Sequence, residues 1–323
     1  MSERVAVQGR EATTESAMLP VALSVVIPLY REASHLAATL TEIVAALDRL
    51  ATGYELILVD DGSPDGTWGL IAEFCRQHRG ARGLRLSRNF GKEAALAAGL
   101  EHAGGQAVLL MDGDLQHPPA LIAPMLQHWR EGADVVEGVK QQHQGDTVTS
   151  RWRAGLFYRL FSALSGHDLS GASDFKLMDR RVLEAWRRMG ERNLFFRGMH
   201  AWLGFKRVQL PFQVPPRIGG ESAWSLLELV RLAMVAVTSF SSAPLQLISL
   251  AGIAFAVFAV LLGAQTLYLK FSGVGVTGFT TVILLLLIIG SAMMLGLGII
   301  GTYIARIYEE VKARPRYIVA EQT

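Results

Sequence analysis

The chain has 323 residues, long for one domain, so a moderate domain with additional segments is the starting expectation. Half of its residues are hydrophobic while 19% are charged, which requires the apolar character to be concentrated in particular segments. A net charge of +2 gives no basis for a nucleic-acid partner, and a single cysteine, Cys75, excludes an internal disulfide.

The first 20 residues, "MSERVAVQGREATTESAMLP", lack the apolar core of a signal peptide, and 1–20 reads as a disordered tail. From Leu23 onward, short β-type runs alternate with helix-period segments, the pattern of a parallel sheet covered by helices. "LSVVIPLY" precedes a segment with Leu36, Leu40, Val44 and Leu47 at helical spacing. "YELILVDDGS" follows, then a helix with Leu70, Ile71 and Phe74, in which Cys75 fits a packing role. "GLRLSRNFG" leads into the helical "KEAALAAGLEHA". "AVLLMDGD" leads into a helix opened by Pro118 and Pro119, since a first turn does not use the N–H that proline lacks. "DVVEGV" predicts a further strand, and Ser150 to Ser165 an amphipathic helix. "SGASDFKLMDRR" reads as a loop feeding a helix, and "FKRVQLPFQVPPRIGGESAW" as an extended connector.

Beyond this, Leu227, Val230, Met234 and Val237 recur at helical spacing between Trp224 and Phe240, as in a helix lying on a membrane surface. From Leu232 to Leu269, and again from Phe271 to Ala305, no Asp, Glu, Lys, Arg or His occurs. Each run exceeds the roughly 20 residues that cross a bilayer core, which predicts two transmembrane helices. Arg217 and Arg231 precede the first span; Arg306, Lys312, Arg314 and Arg316 follow the second; the connecting loop has only Lys270. Basic flanks collect on the cytoplasmic side, so the large N-terminal part and both termini are expected there.

The polar clusters sit just after strands: Pro28, Tyr30 and Glu32; Asp60 and Asp61; Arg88 to Lys92; Asp112 and Asp114. In open α/β sheets ligands bind outside the carboxyl ends of the strands, so four clusters converge on one edge. In an extended chain Asp112 and Asp114 project the same way, and hard carboxylate oxygens suit Mg²⁺ or Mn²⁺, with Gln116 able to add a neutral oxygen. Asp-Gly is equally a common turn, so the triplet alone does not decide. No Gly-Lys-Ser phosphate loop is present and no Gly-x-Gly-x-x-Gly follows one of the β-type runs, so nucleoside-triphosphate hydrolysis and dinucleotide binding lack their signatures.

In combination, "VVIPLYRE", "LVDDGSPDGT", "LSRNFGKEAALAAGL" and "MDGDLQHPP" resemble glycosyltransferase family 2. With "SGASDFKLMDRR", "RIGGESAW" and two C-terminal spans, the chain from Leu23 to Arg316 is similar to its polyprenyl-phosphate branch, the bactoprenol glucosyltransferases and dolichol-phosphate mannose synthases. The resemblance implies an α/β GT-A-type nucleotide-sugar domain with a mostly parallel sheet over 21–222. An interfacial helix (223–243), a transmembrane hairpin (244–306) and a cytoplasmic tail (307–323) would follow. It implies that Pro28, Tyr30, Glu32 and Asp61, with Asp60 beside them, hold the nucleoside. Asp112 and Asp114 would bind a divalent Mg²⁺ or Mn²⁺ on the nucleotide diphosphate, with Gln116 as a further ligand and Arg88 and Lys92 nearby. Asp174 matches a position near the reaction centre, where it would orient the acceptor or act as a base. Arg151, Arg153 and Arg217 are candidates for the acceptor phosphate, and Ser222 matches the family pattern. The connector departs from that pattern at Ala223 and Trp224, where relatives read Lys-Tyr, so Arg217 or another cation must replace the lysine.

The implied reaction is inverting transfer of a sugar, glucose from a UDP-sugar in the first place, to polyprenyl phosphate at a bacterial inner membrane. A GDP-mannose or modified-arabinose transferase is the alternative. A processive polysaccharide synthase would carry Gln three residues before Arg151-Trp152, where this chain has Val148; a non-catalytic scaffold would not need every carboxylate. Similar proteins form tetramers, and the tail "RPRYIVA" has the composition of a strand that can pair with a neighbour. His117 receives no role.

Overall fold

The computed structural model describes residues 22–50, 52–140, 173–190, 196, 203–212, 243–273 and 278–323. Its centre is a set of strands apolar on both faces: β1 (Leu23–Leu29), β2 (Tyr54–Asp60), β3 (Ala81–Leu86) and β4 (Ala107–Leu110). Near-continuous apolar runs such as "LSVVIPL" and "AVLL" have no solvent-facing side and suit the interior of a parallel sheet. β5 (Val135–Lys140), β6 (Lys176–Asp179), β7 (Arg207–Phe212) and β8 (Val319–Gln322) extend it to eight strands in the order β7-β5-β6-β4-β1-β2-β3-β8. Pairing is parallel along β3-β2-β1-β4 and between β5 and β7, and antiparallel where β6 and β8 join.

Alternate strand residues feed two cores. Val25, Ile27, Leu56, Leu58 and Leu109 pack against α1 (Leu36–Asp48), α2 (Thr67–Gln77) and α4 (Ile122–Arg130). Val26, Ile57, Val59, Val108 and Leu110 pack against α3 (Lys92–His102) and α5 (Arg180–Arg187). Cys75 is half-buried beside the first core, as a packing residue is. α1, α2 and α4 thus cover one face and α3 the other, while the loops that follow β1 to β4 all leave the sheet at its carboxyl edge, where ligands bind in open α/β sheets.

Two apolar helices follow, α6 (Ala243–Phe271) and α7 (Phe279–Val311). Both are long and apolar enough to cross a membrane, with mean hydropathy 2.5 over Pro244–Leu269 and 2.2 over Leu285–Lys312. Those windows are 0% and 6% buried. A core helix of a soluble protein would be covered, whereas large side chains here such as Val260, Leu261, Met294 and Leu295 are bare.

Several expectations change. The loop expected at "SGASDFKLMDRR" contains β6, whose four residues include Lys176 and Asp179, too short and too charged to read as a strand. The expected connector contains β7, in which Val208, Leu210 and Phe212 alternate with Arg207, Gln209 and Pro211. The tail does form a strand, but it pairs with β3 of its own chain, Arg85 opposite Glu321. The expected helices at 150–165 and 224–240 lie outside the described residues.

Gly99, in the middle of α3, marks the closest approach of helix to sheet: an added Cβ would lie 2.2 Å from Val26 Cγ1. Alanine favours a helix by about 1 kcal/mol over glycine, but overpacking of a rigid core costs about 1 to 3 kcal/mol. Since 2.2 Å is far inside contact distance, the overlap wins. Gly99→Ala is expected to lower the thermal midpoint of the purified protein; an unchanged or raised midpoint would refute this packing.

Candidate active site

Four loops leaving β1 to β4 enclose a cleft of about 280 Å³. Its lining includes Pro28, Tyr30 and Glu32 from the first loop and Asp61 from the second. Asn89, Gly91 and Lys92 come from the third, and Asp112, Gly113 and Asp114 from the fourth.

The loops are tied to one another by hydrogen bonds to backbone. The Arg31 N–H donates to Ser63 Oγ at 3.0 Å and the Glu32 N–H to Thr67 Oγ1 at 3.0 Å, joining the first loop to the second. Asp61 accepts from the Phe90 and Gly91 N–H groups at 2.7 and 2.9 Å, joining the second to the third. Burial pushes the Asp61 carboxyl up, the two N–H donors draw it down, and Asp60 pushes it up again. The fourth loop is held by packing, because a Cβ on Gly113 would meet Leu29 Cδ2 at 2.5 Å. β4 ends at Leu110, so Asp112 and Asp114 stand in a turn beyond the strand, not in the extended chain expected from their spacing. The turn still brings both to the cleft.

Lys92 is the centre of the site. Its Nζ lies 2.7 Å from Asp112 Oδ1 and 2.9 Å from Asp174 Oδ2, bridging two carboxylates 62 positions apart in sequence. Burial disfavours its charge, yet Asp112 and Asp174 outweigh burial and hold the ammonium above the ordinary lysine range. Glu32 reports on the same field. Burial pushes its carboxyl up, His35 draws it down, and Asp114 and Asp112 push it up again. Three carboxylates therefore act on one space. Among the described residues no cluster of three His, Cys, Asp or Glu forms a ready-made metal cage. Asp112 and Asp114 instead supply part of a hard-oxygen set, which suits an ion that also takes oxygens from a bound phosphate. Asp114 Oδ1 accepts from the Gln116 N–H at 3.1 Å, while Gln116 itself is half-buried and outside the cleft lining.

A model of the family described as "Glycosyl transferase family 2" matches residues 24–187, which spans all four of these loops. The chain belongs to glycosyltransferase family 2. A Synechocystis protein described as "Uncharacterized glycosyltransferase sll0501" is 37% identical over 311 residues, 94% of this chain and 96% of that one. The "Prophage bactoprenol glucosyl transferase homolog" of Escherichia coli K12 is 33% identical over 299 residues, 92% of this chain and 98% of that one. The "Bactoprenol glucosyl transferase" of Shigella phage SfV is 33% identical over 303 residues, covering 93% and 98%.

As a glycosyltransferase of GT-A-like fold, the chain places its expected site residues unevenly. Pro28, Tyr30, Glu32, Asp61, Lys92, Asp112 and Asp114 line the cleft, and Asp174 reaches it through Lys92. Asp60 does not. It is fully buried behind the cleft, with Oδ1 accepting from the Ser63 N–H at 3.0 Å and Oδ2 facing Arg85 Nε at 3.5 Å. Arg88 also stands outside, its exposed guanidinium 4.5 Å from the Phe90 ring centre, and Asn89 takes the place in the lining. Arg151, Arg153, Arg217 and Ser222 lie outside the described residues. His117 is buried: its ring stacks on Phe175 at 4.8 Å and meets Phe212 edge-on, with Nδ1 3.9 Å from Asp112 Oδ2. It forms the wall behind Asp112.

Two charged residues beside the site were not visible as such in sequence. Glu93, next to Lys92, accepts from the Phe196 N–H at 3.1 Å, and the fully buried Lys176 donates to Phe196 O at 3.2 Å. Burial pushes Glu93 up to about 7; the Phe196 N–H opposes and Asp174 adds to the rise. Between the ordinary value of 4.5 and about 7 the folded protein then binds more protons than the unfolded chain, so this group erodes stability as pH rises through that window. Glu93→Gln is expected to gain thermal midpoint relative to wild type between pH 5 and pH 8, whereas parallel pH curves would contradict the assignment. Lys92→Met leaves Asp112 and Asp174 without their bridge, a loss of about 2 to 3 kcal/mol for a charged hydrogen-bonded group. That corresponds to about 30- to 150-fold in kcat/KM. Steady-state kinetics on a folded variant will test it, and less than a threefold change would remove Lys92 from the site.

Proposed function

We propose that this glycosyltransferase moves a sugar, glucose in the first place, from a UDP-sugar to a polyprenyl phosphate such as undecaprenyl phosphate. The reaction would invert the anomeric carbon, at the cytoplasmic face of a bacterial inner membrane. One observation carries this reading: an anionic cleft and two membrane-length helices occur in one chain, and relatives named for bactoprenol glucosyl transfer match it over at least 92% of its length. The lipid named in those relatives and the exposed apolar helices point to the same kind of acceptor.

The charge of the cleft supports a divalent ion. Four carboxylates line it, Glu32, Asp61, Asp112 and Asp114, against the single ammonium of Lys92 among the described residues. A nucleotide diphosphate is itself anionic, so like-charge repulsion disfavours its entry without a cation. Asp112 and Asp114 are the residues that would hold Mg²⁺ or Mn²⁺, with Gln116 as a proposed further donor. Bound there, such an ion supplies Lewis-acid stabilisation of the departing nucleotide diphosphate. Tyr30, 39% exposed beside Pro28, offers an aromatic face for the nucleoside base.

The acceptor end needs less chemistry. A phosphate monoester has a second pKa of about 6 and is largely a dianion near neutral pH, so no strong base has to create the nucleophile. Asp174, paired with Lys92, is therefore assigned to orient the acceptor instead of removing a proton. Arg151, Arg153, Arg217 and Ser222 are proposed to receive the acceptor phosphate, because Arg can grip phosphate through two parallel N–H donors.

Membranes containing the full chain, incubated with undecaprenyl phosphate and labelled UDP-glucose, UDP-N-acetylglucosamine or GDP-mannose in turn, will test the reading. Label from UDP-glucose is expected in the extracted lipid. Asp114→Asn is expected to cut that labelling at least about 100-fold, as loss of transition-state charge stabilisation does, with the thermal midpoint retained. Label from GDP-mannose alone would overturn the donor, and no labelled lipid from any donor would overturn the acceptor.

A further inference from the structure

The C-terminal strand β8 follows the second apolar helix after residues 312–318, and it is built into the catalytic sheet. Tyr317 donates its hydroxyl to Glu101, and Arg316 donates to Met189 O at 3.0 Å. Thr323 closes the end, its Oγ1 accepting from the Gly83 N–H at 2.7 Å and its own N–H donating to Gly83 O at 3.1 Å. Between these anchors Glu321 projects onto two side chains of the domain. Its Oε1 accepts from Arg85 Nη1 at 2.7 Å and its Oε2 from Trp68 Nε1 at 2.9 Å. Arg85 and Trp68 hold the Glu321 carboxyl below the usual range.

Arg85 has a second partner. Its Nε faces the buried Asp60 Oδ2 at 3.5 Å, and among the described residues no hydrogen-bond donor reaches that oxygen. A carboxylate at 0% exposure is costly unless its charge is met, so Asp60 depends on Arg85 and on the Ser63 N–H. Ser63 in turn accepts from Arg31 of the first loop, and Asp61 carries the Phe90 and Gly91 amides of the third. A continuous series of contacts therefore runs from Glu321 through Arg85 and Asp60 to the turn that bears Asp61. At the cross-strand pair Arg85–Glu321 the guanidinium is oriented from the side opposite Asp60.

We propose that Glu321 is a positioning residue for donor binding: by orienting Arg85 it holds Asp60, and with Asp60 the Asp61–Ser63 turn that shapes the nucleotide end of the cleft. The segment beyond the last apolar helix thus completes the donor site as well as tethering the domain. This rests on the reading of the cleft as the nucleotide-sugar site.

The full chain in detergent, as wild type, Glu321→Gln, Arg85→Met, the double variant and the neighbouring Gln322→Ala, separates the possibilities. Expected are a rise in donor KM of about threefold for Glu321→Gln and about tenfold for Arg85→Met, the range of couplings within one charged network. kcat should stay within about twofold. The double variant should be no worse than Arg85→Met, and Gln322→Ala should match wild type. Hydrogen exchange at the Arg31 and Ser63 amides, measured without ligand, should quicken in Glu321→Gln but not in Gln322→Ala. Unchanged KM with unchanged exchange overturns the proposal, as does a double variant whose losses multiply. Quickened exchange in a protein whose wild type binds no UDP would overturn the donor reading and leave the contact series itself established. Equal losses in Gln322→Ala and Glu321→Gln would reduce β8 to a purely structural strand.

Discussion

The site is organised by an imbalance of charge: four carboxylates share the cleft with one ammonium among the described residues, and that ammonium, Lys92, binds Asp112 and Asp174 at once. The Lys92 side chain is 41% exposed, so the bridge adds little to global stability. Its consequence is geometric. It fixes the acidic turn after β4 against Asp174, two residues before β6. Among the described residues, what remains after this pairing is still negative, and the proposed divalent ion would offset the repulsion that a diphosphate alone would meet there.

The sheet makes that arrangement possible. Parallel order along β3-β2-β1-β4 sends four loops to one edge, and alternation of side chains between two apolar cores leaves no slack in the strands that carry them. Gly99 and Gly113 allow α3 and the acidic turn to approach β1 more closely than any side chain would permit. Buried polar groups behind the cleft, Asp60 and the Lys176–Glu137 pair at 3.6 Å, are met by charged partners together with the Ser63 N–H and the Phe196 carbonyl. The two apolar helices place this edge in a chain suited to a lipid-borne acceptor.

Much of this was legible in the sequence because it depends on local signals. Long apolar runs announced β1 to β4 and the two membrane-length helices, and acidic residues directly after apolar runs announced the edge that carries the site. What was hidden depends on partners distant in the chain. The Lys92–Asp174 bridge joins residues 82 positions apart, and the Arg85–Glu321 pair joins residues 236 apart. Asp60 and Asp61 look alike as a dipeptide, but the strand pleat turns the first inward to Arg85 and leaves the second at the cleft. The place of His117 depends on Phe175 and Phe212, far along the chain, one stacked on its ring and the other meeting it edge-on. β6 escaped because four residues are too few to show a period, and β7 because Pro211 inside a short alternating run argues against a strand.

The central claim is that charge in the cleft admits a nucleotide diphosphate only together with a divalent ion. Calorimetric titration of UDP into the purified full chain, in Mg²⁺ or Mn²⁺ and again in EDTA, measures this directly. Charge-assisted contacts at such a site are worth about 1.5 to 3 kcal/mol, so the affinity should fall at least about tenfold in EDTA. Equal affinity for UDP with and without the divalent ion would contradict the account.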